Sequence, residues 1–306
     1  MTSAAMPAIA RLQRANQGRH FRAYRLHGAE TAERIDPFLS IDHVWMSAPT
    51  FPPHPHAGFS AVSYLFLDSE TGINNRDSLG NRNLIPPGGL HWTAAGRGVV
   101  HEEVPAESGK TVHMLQIFIN LARERQSAVP FALSLAPQDV PVVQVRGVKV
   151  RVPLGNYREV RSPLTPPTEV SVLDIFLDDD FAVTIPVAAG HSAFVMPIYG
   201  TLIVDGQRFD SGEPRLPVFP AQTASRSITL QAESGGAKVV VFTGASLRQP
   251  VHWRGSMAMA SAKALDAAWA AYQRGEFGTL PPAACVPLKP SGDTNALREI
   301  HCRQFG

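Results

Sequence analysis

Apolar and polar residues alternate with a period close to two along most of this chain, the spacing of half-buried strands rather than helices. His20-Phe21-Arg22-Ala23-Tyr24-Arg25-Leu26 predicts one strand, and Asp36-Pro37-Phe38-Leu39-Ser40-Ile41-Asp42 reads as a turn into another; both look like sheet edges. Residues 60–67, Ser-Ala-Val-Ser-Tyr-Leu-Phe-Leu, are rich in β-formers and end in the polar turn 68–72. Further turns fall at Arg76-Asp77-Ser78-Leu79-Gly80-Asn81, Ile85-Pro86-Pro87-Gly88-Gly89 and Ala95-Gly96-Arg97-Gly98, and residues 111–120 supply a long apolar strand carrying His113, Met114 and Gln116. The same grammar returns at 142–150, 169–177, 181–187, 193–204, 228–230 and 238–243, which suggests an internal duplication.

A helical period emerges only late, at 261–274, where Ala264, Leu265, Ala268, Trp269 and Tyr272 form one stripe, Ser261 is placed to cap the start and Gly275 to stop the end. The last 28 residues, interrupted by Pro281, Pro282, Pro287 and Pro290, read as an irregular surface tail. With 26 prolines and 24 glycines spread over 306 residues, the chain is expected to be mainly β. Its length suits two domains, 1–135 and 136–306, joined across the proline-punctuated stretch 121–141.

Charge narrows the partners. Lys and Arg total 28 against 26 Asp and Glu, a net +2, so no field of one sign covers the surface and direct nucleic-acid binding is not expected. The sequence shows neither a signal-peptide pattern nor a membrane-spanning run. The two cysteines, Cys285 and Cys302, both lie in the tail, leaving the body without a disulfide framework or thiolate site, and the expected setting is cytoplasmic.

The candidate chemistry sits in two short motifs. His54-Pro55-His56 places two imidazoles on one side of an extended chain, and Pro55 keeps that chain extended. About 45 residues on, His101-Glu102-Glu103 repeats the spacing, so His101 and Glu103 share a face that Glu102 does not. Three histidines and a carboxylate suit one divalent ion of the Fe, Mn, Co, Ni, Cu or Zn group and leave two open positions on an octahedral ion for water, dioxygen or substrate. His91, set between strands and Gly-rich turns, competes as a ligand. His43 with Asp42, and His20 with His27, lack a converging spacing; the second half has His191 alone, and its metal chemistry is expected to be absent. No phosphate loop or nucleophile elbow is present.

These motifs, in this order, resemble the pirin family of the cupin superfamily. The resemblance rests on Asp36-Pro37-Phe38-Leu39, His54-Pro55-His56-x-Gly58-Phe59, Arg76-Asp77-Ser78-Leu79-Gly80-Asn81, and Pro87-Gly88 through Trp92 to Ala95-Gly96-Arg97-Gly98-x-x-His101-x-Glu103. It covers residues 20–122 most fully, and Pro250-Val251-x-Trp253-Arg254-Gly255 with Gly275-Glu276-Phe277-Gly278 resembles the family's C-terminal segment. It implies two cupin-type β-barrels (double-stranded β-helices) in one chain with a C-terminal helix. The metal would lie in the N-terminal barrel only, Fe(II) first in order of expectation, on His54, His56, His101 and Glu103, which decides against His91. Ala57 and Ser60 depart from the family's usual Arg and Glu at those places, which bears on substrate preference.

The resemblance further implies a metal-dependent dioxygenase of the quercetin 2,3-dioxygenase type, taking a flavonol-like aromatic and O2, with Glu103 able to accept the substrate's 3-hydroxyl proton. Phe59, Trp92, Met114 and Phe118 are candidates to line its pocket. The rival expectation is an iron-dependent, redox-responsive adaptor that binds a protein partner without turnover. A monomer is expected in either case.

Overall fold

The computed structural model describes residues 7–280, so the expected surface tail falls, from residue 281 on, outside the described residues. Strands dominate, with two α-helices among the described residues, Ala29–Ile35 and Ala262–Gln273. Seven antiparallel strands form the first large sheet, in the order Phe131–Leu135, Leu90–Ala94, Phe59–Leu65, Val112–Asn120, Phe38–Met46, Phe21–Leu26, Gln13–Gln17. A four-stranded sheet, in the order His54–His56, Val99–Pro105, Ile73–Asp77, Arg82–Ile85, lies across from it. Leu65 and Met114 of one pack with Ile73 and Ile85 of the other, and Ser63 and His91 reach hydrogen-bond partners on the smaller sheet, which closes a cupin barrel.

Neither Phe21–Leu26 nor Phe38–Met46 is the sheet edge the sequence suggested: the first runs between Gln13–Gln17 and Phe38–Met46, the second between Val112–Asn120 and Phe21–Leu26, so Phe38–Met46 is an interior strand. Its apolar residues fall on both faces, with Phe38, Leu39, Ile41, Val44 and Met46 all buried, which is the pattern of an interior strand. The helix Ala29–Ile35 also escaped the period, because seven residues span barely two turns and Gly28 offers it no side-chain cap.

Eight strands of the second half, joined by Ala8–Arg11, form a nine-stranded antiparallel sheet that curls into the second barrel. Residues 228–230 and 238–243, read as two strands, belong to one bent strand, Arg226–Ala245, which pairs with Ala182–Val187 at one end and Val170–Leu177 at the other. The bend needs glycine: Gly236 has φ 72°, and a Cβ on the facing Gly200 would come within 2.2 Å of the Gly236 carbonyl. This barrel is filled by its own side chains, among them Val150, Ile175, Phe209, Leu230 and Val241.

The two large sheets pack face to face. Alternation along Val112–Asn120 sends Leu115, Ile117 and Ile119 into the core between the barrels, where they meet Val172, Phe194, Met196 and Phe242 of the second sheet. Met114, Gln116 and Phe118 consequently face the interior of the first barrel.

Segments near both ends of the described residues cross over. Ala8–Arg11 pairs with Arg215–Phe219 of the second sheet. After the second barrel the chain returns to the first through the hairpin His252–Arg254 and Met257–Met259 and the helix Ala262–Gln273. Ser261 caps that helix, its Oγ accepting from the Ala264 amide at 3.2 Å, and the stripe from Leu265 to Tyr272 packs on Ala57, Met257 and Met259.

Candidate metal centre

The two ligand motifs meet because their strands pair antiparallel, with His54 opposite His101 and His56 opposite Val99. His54 and His101 are therefore cross-strand neighbours, and His56, two residues on, joins them on the same face. The Nε2 of His101 lies 3.1 Å from that of His54 and 2.9 Å from that of His56. Ligand atoms of all three histidines fall within 4.8 Å of one another.

The outer nitrogens fix which way these rings face. His54 Nδ1 lies 3.0 Å from the Pro52 carbonyl and His56 Nδ1 lies 3.0 Å from the Ser256 carbonyl. A carbonyl only accepts, so both Nδ1 atoms carry the proton and both Nε2 atoms present lone pairs. Burial pushes His56 down to about 3 and holds His101 well below and His54 below the ordinary imidazole value, so the rings are neutral. Lone pairs that close repel unless a cation or a shared proton lies among them. Two imidazole nitrogens bound at right angles to one ion at ~2.1 Å stand ~3.0 Å apart, so the spacing present here fits a transition-metal ion.

Glu103 shares the face of His101 and lines the same cavity, but its carboxylate is turned to Ser63, whose Oγ lies 2.8 Å from both oxygens. Burial pushes its carboxyl up to about 7, with the Ser63 hydrogen bond pulling the other way. Glu102 points to the opposite side and pairs with Arg76 at 2.7 Å, as the period requires. His91 lies apart from the three-histidine group, with Nδ1 2.9 Å from Ser134 Oγ and Nε2 3.2 Å from Asn75 Nδ2.

The surrounding motif residues are structural. Asp77 Oδ1 accepts the amides of Leu79 and Asn81, and Ser78 Oγ accepts the Val100 amide, which ties the 76–81 turn to the strand carrying His101. Gly58 and Gly98 give the C-terminal segment room to dock. A Cβ on Gly58 would sit 1.9 Å from the Ala258 carbonyl and one on Gly98 2.2 Å from the Phe277 ring. That docking brings the Ser256 carbonyl to His56, a support that no local pattern announces because it comes from 200 residues away.

The three imidazoles and Glu103 open onto a cavity of about 1080 Å3. Of the expected lining residues, Met114 and Phe118 face it. Trp92 does not: it is buried in the core between the barrels, and Phe59 packs beside Leu39 and Ala258 instead. Trp92 lies on the opposite face of its strand from His91, whereas Phe59 shares the face of Ser63 and stands behind the lining residues, its ring 4.8 Å from that of Phe118 and 5.1 Å from that of His56. Phe51, Val251 and Trp253, which the sequence did not single out, complete the apolar wall. Ala57 and Ser60 do not line it, and Ala57 packs on the C-terminal helix.

The sequence matches the family Pirin over residues 16–119 and the Pirin C-terminal cupin domain over residues 172–278. A Pseudomonas aeruginosa protein provisionally named quercetin 2,3-dioxygenase is 29% identical over 280 residues, covering 85% of this chain and 93% of that protein. Rattus norvegicus pirin is 29% identical over 248 residues, covering 80% of this chain and 83% of its own length. Among solved structures, a quercetin 2,3-dioxygenase from Acinetobacter baumannii shares the fold with a TM-score of 0.78 at 24% identity, over 90% of this chain and 98% of that one. A bacterial pirin from Escherichia coli in complex with nickel(II) does so with a TM-score of 0.62 at 18% identity, over 79% of this chain and all (100%) of that one. With both family segments matched in order and both barrels in place, the chain belongs to the pirin family, as a mainly β protein of two cupin domains with a C-terminal helix.

Proposed function

We propose that His54, His56, His101 and Glu103 form the centre of a metal-dependent dioxygenase of the quercetin 2,3-dioxygenase type. The observation that carries this reading is the convergence of three neutral imidazoles on the wall of a cavity of about 1080 Å3, large enough for a flat aromatic. The relatives' names support the reaction class, and the nickel(II) complex of the Escherichia coli pirin supports a divalent ion in this fold. Fe(II) is the ion we propose, with Mn, Co, Ni, Cu and Zn admissible for the same donors.

Bound by the imidazoles, such an ion supplies Lewis-acid and one-electron chemistry toward substrate and O2. The chain's own residues do the rest. Glu103, on the same cavity wall as the imidazoles, takes the proton of the flavonol 3-hydroxyl, and Ser63 holds that carboxylate in place. Phe51, Met114, Phe118 and Trp253 enclose the ring system and keep water from it. Flavonol and O2 then yield the ring-opened ester and carbon monoxide, which balances every atom.

The test is to determine the metal in the protein as isolated, then load it in turn with Fe(II), Mn(II), Co(II), Ni(II) and Cu(II) and follow flavonol absorbance with oxygen uptake. Turnover with at least one ion is expected. Bound metal without turnover by any of them would overturn the dioxygenase and leave the redox-responsive adaptor as the reading to pursue.

A further inference from the structure

One register row of the first barrel is polar from strand to strand. Gln116 sits opposite Ser63 on one neighbouring strand and Asp42 on the other, and Asp42 sits opposite Arg25. The adjoining row is Ala23, Val44, Met114 and Leu65, as a barrel interior would ordinarily be. The polar row begins at the metal centre, where Ser63 Oγ bridges Glu103 at 2.8 Å and Gln116 Oε1 at 3.2 Å. It runs on through Arg25 to Gln13 on the edge strand, and Arg25, Asp42, Gln116 and Glu103 all line the same cavity.

Asp42 is the member whose chemistry is unspent. Its ion pair with Arg25 uses Oδ2, at 2.9 Å, and Oδ1 takes no hydrogen bond from any described residue. Burial pushes its carboxyl up despite the nearby Arg25 and His27, and the side chain keeps a partly exposed edge toward the cavity. A carboxylate kept largely out of water with a free oxygen gains most from an O–H that arrives with a ligand. Two strand spacings, about 10 Å, separate Asp42 from Ser63 beside the metal centre, which is the scale of a two- to three-ring aromatic.

We infer that Asp42, oriented by Arg25 and flanked by Gln116, is the subsite that reads hydroxyl groups at the end of the substrate remote from the metal centre. The chain then favours planar phenols bearing such donors over bare ones. The inference rests on the reading that a flavonol-type oxygen engages the histidine end of the same cavity. An ion pair serving only the fold would alter stability and leave ligand discrimination untouched.

The experiment is equilibrium binding under nitrogen to the full chain loaded with nickel(II), read from ligand absorbance. The ligands are quercetin, with hydroxyls on both ring systems, and 3-hydroxyflavone, which keeps only the 3-hydroxyl. Wild type should bind quercetin at least tenfold more tightly. Asp42→Asn, with metal content checked, should lose most of that preference while holding 3-hydroxyflavone within about twofold of wild type. Equal affinity of wild type for the two ligands, or a preference that survives in Asp42→Asn, overturns the subsite; the first of these needs no variant to fold. Failure of wild type to bind either ligand overturns the flavonol reading beneath it.

Discussion

His101 occupies the middle of the three-histidine cluster, its Nε2 3.1 Å from that of His54 and 2.9 Å from that of His56. Unlike its two partners it has no acceptor on Nδ1 among the described residues, where that nitrogen is a buried polar atom without a hydrogen bond. Such an omission costs about 1–3 kcal/mol, and it is tolerable where the other nitrogen is strongly engaged, as by a metal ion. His56→Ala or His101→Ala should therefore drop bound metal from near stoichiometric to a tenth or less by elemental determination. His91→Ala should leave the ratio unchanged, since His91 spends both nitrogens on Ser134 and Asn75. The reverse distribution would refute the ligand set. The convergence of His54, His56 and His101 was legible in the sequence because two-residue spacing on a strand is a local geometric fact. The acceptor that orients His56 was not, because it is a backbone carbonyl whose position depends on the whole second barrel being in place.

At the scale of elements, the C-terminal segment acts as a clamp on the strand bearing His54 and His56. The Ala258 amide donates to the Ala57 carbonyl at 3.1 Å, and Ala57 and Met257 bridge in parallel. Gly58 at φ 83° and Gly80 at φ 93° separate clamp from strain, since nothing lies within 4 Å of a Cβ built on Gly80. Gly80→Ala should cost about 1–2 kcal/mol, the price of the backbone conformation alone. Gly58→Ala should cost about 3 kcal/mol or more and weaken metal retention, because the Ala258 carbonyl must move away and take the Ser256 carbonyl with it. Guanidinium unfolding of both variants checks the difference, and equal losses would refute the clamp. The helix that completes this segment was legible from its stripe and its serine cap. Gly98 was legible as part of a turn and Gly58 only as part of the His-Pro-His motif; the segment Gly58 receives lies some 200 residues on, beyond any period.

For the whole molecule, repeated strand grammar announced two similar sheets, but not that charged groups would sit where they meet. There Tyr64 donates to Asp174 at 2.8 Å, Lys238 of the second sheet lies 3.6 Å from Asp68 in the turn after Phe59–Leu65, and Asp68 faces His113 Nδ1 at 3.1 Å. His113 Nε2 in turn lies 2.7 Å from His43 Nε2. Burial lowers both histidines, and Lys238 and Arg22 push the same way; Asp68 opposes on His113 without reversing it. Both rings are thus neutral in the fold and take up protons on unfolding. Stability from this pair is complete above the ordinary histidine value and is lost as pH falls below it, because the unfolded chain then binds protons that the folded chain refuses. One such ring adds a slope approaching about 1.4 kcal/mol per pH unit. In the metal-free protein, wild type should lose about 1 kcal/mol more than His43→Gln between about pH 6.5 and about pH 5.5, by denaturant unfolding. Asp174, Tyr64 and the histidines of the metal centre titrate in both proteins and cancel in that comparison. Parallel profiles would show that His43 binds its proton in the folded state, and that the contact between the barrels tolerates a charge there.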